Sequence, residues 1–418
     1  MKSQIVIESL KIFGKSKTLI SFSTSKEIDK YFNEKNFYVE YDFNISKIPE
    51  YILTIPAICN LIQVAWVTDS DLFVNEIDQP FLDSLSSIKK VFKKNFGVLN
   101  FNSKILSKNV IHLKEQDEGV VQLYSGGIDS TATCLNNLES KNHLTIIDFE
   151  PAGIHKDIVN WAKHIYGNAS VAKTNIYSFL NRRNLDKDFG KFTEDTWWGG
   201  IQHGIGLIGM TAPAAFTFKA NKIFISSTHD KSFKDNWGSD PSTDNLLKWS
   251  NVSVLHKDYE FTRHEKIKKI IKKYITKNSS HPLMVVCNSY SRKRELYNCS
   301  KCSKCAQAIV SLCIEEIDPN KCGFNVTEKT FAWIKESLES MTYFGRKSDF
   351  WTWQDTYKNL PETIDNLVEH VPGTKYFLNW FSKLEFTYED YFNKTTVMRD
   401  RPSYELFFDY GEPDLRIK

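Results

Sequence analysis

The stretch Val120-Val121-Gln122-Leu123-Tyr124-Ser125-Gly126-Gly127-Ile128-Asp129-Ser130-Thr131-Ala132-Thr133-Cys134-Leu135 decides how this chain folds. A short apolar run enters two glycines and leaves them with helical spacing, so strand, tight turn and helix follow in that order. The glycines let the backbone turn sharply while N–H groups converge at the start of the helix, which makes an anion cradle. Ser125, Ser130 and Thr131 add hydroxyl donors. As an ordinary surface turn the same letters would carry no chemistry. No Lys follows the glycines as in the nucleoside-triphosphate P-loop, so that motif is excluded. Something else must neutralise bound phosphates, and Asp129, itself negative, could hold a bridging Mg²⁺.

Outward from the turn, strand-like runs recur at residues 144–149, 222–226, 252–255 and 283–286, with helical patterns between several of them. This alternation implies an α/β domain with a parallel sheet over residues 119–325. Before it, residues 4–7 and 38–41 alternate, residues 51–53 and 61–67 read as further apolar runs, and a helix is expected at 81–96. Residues 1–118 therefore read as a β-rich accessory domain, either a scaffold or a partner-docking module. Residues 326–418 hold aromatic helical patterns at 331–334, 351–353 and 376–381, read as a helical cap or a contribution to a pocket.

Three regions agree with the length, because 418 residues is about three times a typical domain. Lys plus Arg number 54 against 51 Asp plus Glu, a net charge of +3 that argues against a nucleic-acid-coating protein. With 41% hydrophobic and 25% charged residues the chain is expected to fold rather than stay disordered. No long apolar run or secretory signal is found, so a cytoplasmic protein free of the membrane is expected.

Cys287, Cys299, Cys302 and Cys305 carry the second chemical signal. Two residues separate each of the last three, which lets the thiolates turn onto one centre, with Cys287 as the remote fourth ligand. Structural Zn²⁺ fits best because four sulfurs leave no open position; a four-iron, four-sulfur cluster is the alternative. Cys134 and Cys313 read as core residues. The run from Arg263 to Ile275 is a basic amphipathic helix, read as a solvated face in preference to a nucleic-acid track.

Ser-Gly-Gly-x-Asp-Ser after a strand resembles the loop of the N-type ATP pyrophosphatases, which cleave ATP between the α and β phosphates. Within that group, residues 119–325 are most similar to the 7-cyano-7-deazaguanine synthases. The cysteine spacing strongly resembles the zinc site of those enzymes, while their Tyr-Pro-Asp-Cys is absent here. The resemblance implies the adenine-nucleotide hydrolase-like fold, with nucleotide contacts from Tyr124, Ser125, Gly126, Gly127, Asp129, Ser130, Thr131, Asp148, Phe149 and Glu150. It implies catalytic roles for Ser125, Asp129 and Ser130, for His155, and for Arg182 or Arg183 on phosphate oxygens or a substrate carboxylate, with Lys173 beside them. His229, Asp235 and Asp240 become candidates for reading a deazaguanine ring, with Asp244 behind them.

The expected activity is that of an ATP-dependent ligase that adenylates a 7-deazaguanine carboxylate and forms an amide, releasing pyrophosphate and AMP. Enlarged relatives of these synthases occur in bacterial antiphage defence operons, including nucleotide-signalling systems. That branch implies a protein amine as acceptor, docked on the surplus regions. Ammonia as the nucleophile, giving the free nitrile, and a non-catalytic nucleotide-binding module are the alternatives. A homodimer is left open.

Overall fold

The structure is a computed structural model that describes residues 2–111, 118–140, 142–149, 156–193, 196–233, 236–287, 297–344 and 347–384. Among them eleven strands form: β1 (Gln4–Phe13), β2 (Lys17–Thr24), β3 (Asn36–Tyr41), β4 (Asp71–Asp78), β5 (Ile105–Ile111), β6 (Val120–Leu123), β7 (Asn142–Phe149), β8 (Ala169–Thr174), β9 (Lys222–Ser226), β10 (Lys248–Trp249) and β11 (Val252–Lys257). They make one sheet in the order β10-β11-β9-β6-β7-β8-β3-β2-β1-β4-β5.

The part from β11 to β8 is parallel throughout. All four residues of β6 are buried, Gln122 among three apolar ones, as expected of a strand covered on both faces. Counted by their succession along the chain, β8, β7, β6, β9 and β11 run 3-2-1-4-5, with the order reversing between β6 and β9. In open α/β sheets ligands bind beyond the carboxyl ends of the strands at such a reversal, and the glycine turn leaves β6 there.

Contacts gather the chain into two units. One comprises Met1–Ser125, Asn137–Ser227 and Lys234–Tyr259 and holds the whole sheet; the other comprises Gly126–Asn136, Thr228–Phe233 and Glu260–Lys418. These units cut across the three regions expected from the sequence. The strands of residues 1–118 continue the sheet, because β3 pairs antiparallel with β8, and β2, β1, β4 and β5 follow. The helix after the glycine turn, Ile128–Asn136, belongs instead to the unit that holds the cysteines.

Residues 61–67 are helical rather than extended. They lie in the helix Ile55–Val67, whose 13 residues are all buried. Residues 51–53 are helical too, within Glu50–Leu53. A run that is apolar on every side carries no period, so nothing in it separates a buried strand from a buried helix. Residues 283–286 form no strand; the Met284 and Val285 N–H groups donate instead to the Cys322 and Gly126 carbonyls. The helix expected at 81–96 is present as Gln79–Asn95, its N-terminus capped by the Asp78 carboxylate, which accepts from the Phe81 N–H at 3.1 Å.

In the second unit the aromatic segments do form helices, Glu328–Glu339, Lys347–Lys358 and Thr374–Phe381, joined by contacts such as Phe331 on Phe377 and Trp353 on Phe381. None of the helices among the described residues is long and apolar enough to cross a membrane.

The buried helix Ile55–Val67 meets the helix His203–Gly209 across glycines. A Cβ at Gly209 would lie 2.7 Å from the Cys59 sulfur, and one at Gly206 would lie 2.7 Å from the Asn60 side-chain oxygen. Asn60 satisfies its own buried amide by donating to the Pro56 and Gly206 carbonyls. Gly209→Ala is expected to destabilise the protein by about 1–3 kcal/mol in urea denaturation through overpacking. Gly97→Ala, where the nearest atom is 3.9 Å away, should change stability by less than about 0.5 kcal/mol.

Candidate functional site

The turn opens with Ser125, which is exposed, and Gly126, whose φ of +76° is in the region that favours glycine. The helix Ile128–Asn136 starts immediately after, placing the positive end of its dipole at the turn. Ser130 and Thr131 are buried: the Ser130 hydroxyl donates to the Gly127 carbonyl at 3.2 Å and the Thr131 N–H donates to it at 2.9 Å. These two hydroxyl residues thus brace the turn from within. Tyr124, also buried, stacks on Trp161 at 5.9 Å.

Asp129 collects two cations. Arg263 donates to one carboxylate oxygen at 2.9 Å and Lys266 to the other at 3.1 Å, and the Lys266 side chain is fully buried. Burial alone would raise the Asp129 pKa, but Arg263 and Lys266 hold it down to about 2. Asp129, read from the sequence as able to hold a bridging Mg²⁺, thus has a protein cation on each of its oxygens and fixes both beside the turn.

These two cations come from the helix read in the sequence as a solvated face. Thr262 and Glu265 form a capping box that fixes its start. Arg263 and Lys266 lie three residues apart on the stripe that continues through Ile267 and Ile270, and that stripe is buried. His264 faces inward as well, its Nε2 hydrogen-bonded to Glu315 at 3.0 Å, and Lys272 reaches the other Glu315 oxygen at 3.3 Å. Only Lys268, Lys269 and Lys273 of this stretch are exposed.

The four cysteines converge. Their sulfurs all lie within 4.8 Å of one another, with Cys302 and Cys305 at 3.4 Å, Cys299 and Cys305 at 3.8 Å, and Cys287 and Cys302 at 4.0 Å. Tetrahedral zinc with Zn–S bonds of about 2.3 Å requires sulfurs about 3.8 Å apart, so the group could hold a metal such as zinc. It is the one such group of three or more His, Cys, Asp or Glu among the described residues. The Lys301 and Cys302 N–H groups donate to the Cys299 sulfur at 3.4 and 3.2 Å. Hydrogen bonds from the other three thiols, and a smaller contribution from the Cys302 N–H, push the Cys299 thiol down, while Cys302 and Cys305 are pushed up by the same cluster.

Asn298 fixes the turn: its side-chain oxygen accepts from the Val286 and Cys287 N–H groups, and its amide donates to the Met284 and Gly323 carbonyls. Two connections lead from the cysteines to the glycine turn. The Val285 N–H donates to the Gly126 carbonyl at 2.8 Å, and Gln307, on the helix Ser303–Ile314 that carries Cys305, accepts from Arg263 at 3.3 Å.

In the sheet unit, Asp148 and Phe149 end β7, and Phe149 belongs to an aromatic group with Tyr177 and Trp198. Arg182 lies against that group, whereas Arg183 is exposed. Lys173 is half-buried on β8. Asp240 caps the short helix Pro241–Asp244 by accepting from the Ser242 N–H at 2.8 Å. Asp244 is fully buried, bonded to the Ser239 hydroxyl at 2.6 Å and to His256 at 2.9 Å; both acids hold this loop together. His229 falls in the other unit, packed on Phe233 at 3.9 Å. Glu150, His155 and Asp235 lie outside the described residues. Comparison with protein-family models, with curated proteins and with solved structures finds no significant match to this chain.

The Asp129 group makes a stability prediction. Asp129→Asn leaves buried Lys266 without its counter-charge and is expected to cost about 3 kcal/mol at neutral pH in urea denaturation. The double variant with Lys266→Met should recover part of that loss. Because the folded pKa lies below the ordinary value of 3.8, the contribution is present above about pH 4 and disappears as pH falls towards 2. For the cysteines, elemental analysis is expected to find one zinc per chain in the wild type and none in Cys302→Ser, with the variant less stable to urea.

Proposed function

We propose that this protein is an ATP-dependent ligase that adenylates the carboxylate of a 7-deazaguanine and passes the acyl group to an amine, with a partner protein as the acceptor in antiphage defence. One observation carries the reading. The turn Ser125-Gly126-Gly127-Ile128-Asp129-Ser130 leaves the central strand where a parallel sheet reverses its order, and its Asp129 fixes Arg263 and Lys266 beside it. Two fixed cations and a helix N-terminus suit the binding of a leaving pyrophosphate.

In the proposed reaction a carboxylate oxygen attacks the α-phosphorus of ATP while the bond from that phosphorus to the β-bridging oxygen breaks. Pyrophosphate leaves into the field of the turn, where Arg263 and Lys266 together exceed Asp129 by one positive charge. The amine nitrogen then attacks the acyl carbon, AMP departs with the oxygen, and the nitrogen loses its proton to give an amide. Lys266, sealed from solvent against Asp129, acts through its charge and not by contact, while Arg263 orients; the charge of both is in place before the reaction, so none of it must be assembled as negative charge develops. Zn²⁺ on the four cysteines would have a structural role. The cysteine turn would hold Val285 against Gly126 and the helix Ser303–Ile314 against Arg263.

Pyrophosphate release from ATP should depend on added 7-carboxy-7-deazaguanine and fall about 100-fold in Lys266→Ala. Equal, negligible release by wild type and Asp129→Asn across candidate carboxylates would remove the enzyme reading. Intact mass spectrometry of proteins encoded beside this one tests the acceptor. A gain of one deazaguanine acyl group supports the proposal, whereas full conversion to the nitrile with ammonium and no mass gain assigns free-base synthase chemistry.

A further inference from the structure

Arg182 is a half-buried cation two of whose donor atoms the protein leaves unanswered. Its Nε and Nη2 atoms are sealed from solvent and have no hydrogen-bond partner among the described residues. The guanidinium carbon lies 3.2 Å from the centre of the Tyr177 ring and 4.7 Å from that of Trp198. Stacking on rings stabilises the charge but leaves the in-plane N–H groups unanswered. Asp186, whose charge acts on Arg182, accepts from the Trp197 N–H at 2.5 Å through its Oδ1 and so holds the adjoining Trp198 in place. Burial pushes the Arg182 pKa down to about 10, against the opposing pull of Tyr177 and Asp186. Buried donors left orphaned on a charged group are costly, and a native protein that keeps them has a use for them.

The surroundings specify the shape of what would answer them. Phe149, Tyr177 and Trp198 form a closed triangle of edge-to-face contacts with ring centres 6.2, 5.8 and 5.6 Å apart. Phe149 is the last residue of β7, and Tyr177 follows the end of β8 by three residues, so the group sits at the carboxyl ends of two parallel strands. Tyr177 is 44% exposed, so the ring that covers the guanidinium is also the one that solvent can reach. Aromatic walls favour a flat ligand, and the planar fork of Arg182 favours a carboxylate in the same plane.

We propose that Arg182, with Tyr177 and Trp198, is the binding site for a flat heteroaromatic carboxylate, with the guanidinium taking the carboxylate and Tyr177 moving off it as the ligand enters. For the proposed ligase this assigns the acyl substrate to Arg182 and leaves phosphate to Arg263 and Lys266; the choice of deazaguanine as ligand rests on that functional reading, while the ligand class does not.

Tryptophan fluorescence and calorimetry of the full chain without ATP test it. The probes are 7-carboxy-7-deazaguanine, 7-deazaguanine, indole-3-carboxylate and inorganic phosphate. Wild type is expected to bind the deazaguanine carboxylate about 10- to 100-fold more tightly than 7-deazaguanine, and Arg182→Gln should abolish that difference. Arg182→Lys, which keeps the charge and loses the fork, should retain only part of it; it also serves if the Gln variant fails to fold by circular dichroism. Binding of indole-3-carboxylate but not of the deazaguanine carboxylate would support the site and overturn the deazaguanine reading. The inference is overturned if neither carboxylate binds, if both variants bind as wild type does, or if phosphate displaces the carboxylate at equal concentration.

Discussion

A lysine ammonium with no exposure to solvent needs a counter-charge, and in the second unit that need is met by Asp129. Asp129 cannot serve Lys266 unless the helix Ile128–Asn136 begins where it does, directly after the glycine turn. Arg263 completes the arrangement and is itself oriented by Gln307, one helical step beyond the cysteine cluster. Turn, basic helix and cysteine turn are therefore one polar network, tied a second time by the bond from Val285 to Gly126. A network of buried charges is stable only when every member is present, which makes this unit sensitive to single losses.

Two of the chemical signals were legible in the letters. The cysteine spacing is local, so a short segment dictates how three thiolates meet, and the strand that precedes the glycines is buried on both faces. Arg263 and Lys266 were misread because a basic helix with exposed Lys268, Lys269 and Lys273 looks solvated when scored by composition. Their position on the Ile267 and Ile270 stripe was the available signal. The buried helix Ile55–Val67 was hidden for the opposite reason, since uniform apolarity erases the period that distinguishes helix from strand. That β3 would pair with β8 could not be read at all, because the partner of an edge strand is set by packing over more than a hundred residues of separation.

Acidic residues show how a residue type can be right for one task and used for another. Asp240 and Asp244 have the chemistry to read a guanine-like edge, yet the fold uses one to cap a helix and the other to join Ser239 to His256. Backbone N–H groups in a loop packed this tightly must find acceptors, and nearby carboxylates supply them. Gly204 shows how tight it is: a Cβ there would lie 2.1 Å from the Gly238 carbonyl oxygen. Arg182 is the converse case, a side chain two of whose donor atoms find no acceptor among the described residues.

The antiparallel seam between β3 and β8 has a consequence for how the chain could have grown. In a domain simply appended to a small enzyme, the joint is a linker that can be cut. Here the amino-terminal strands supply the hydrogen-bond partners of a core strand, and the helix Ile55–Val67 lies inside the same hydrophobic cluster as β6 and β9. Trimming back to residue 119 would bare one side of β8 and remove half of that cluster's contents, leaving a sticky edge in place of a smaller working protein. The amino-terminal strands and the parallel sheet are thus obliged to fold and persist together.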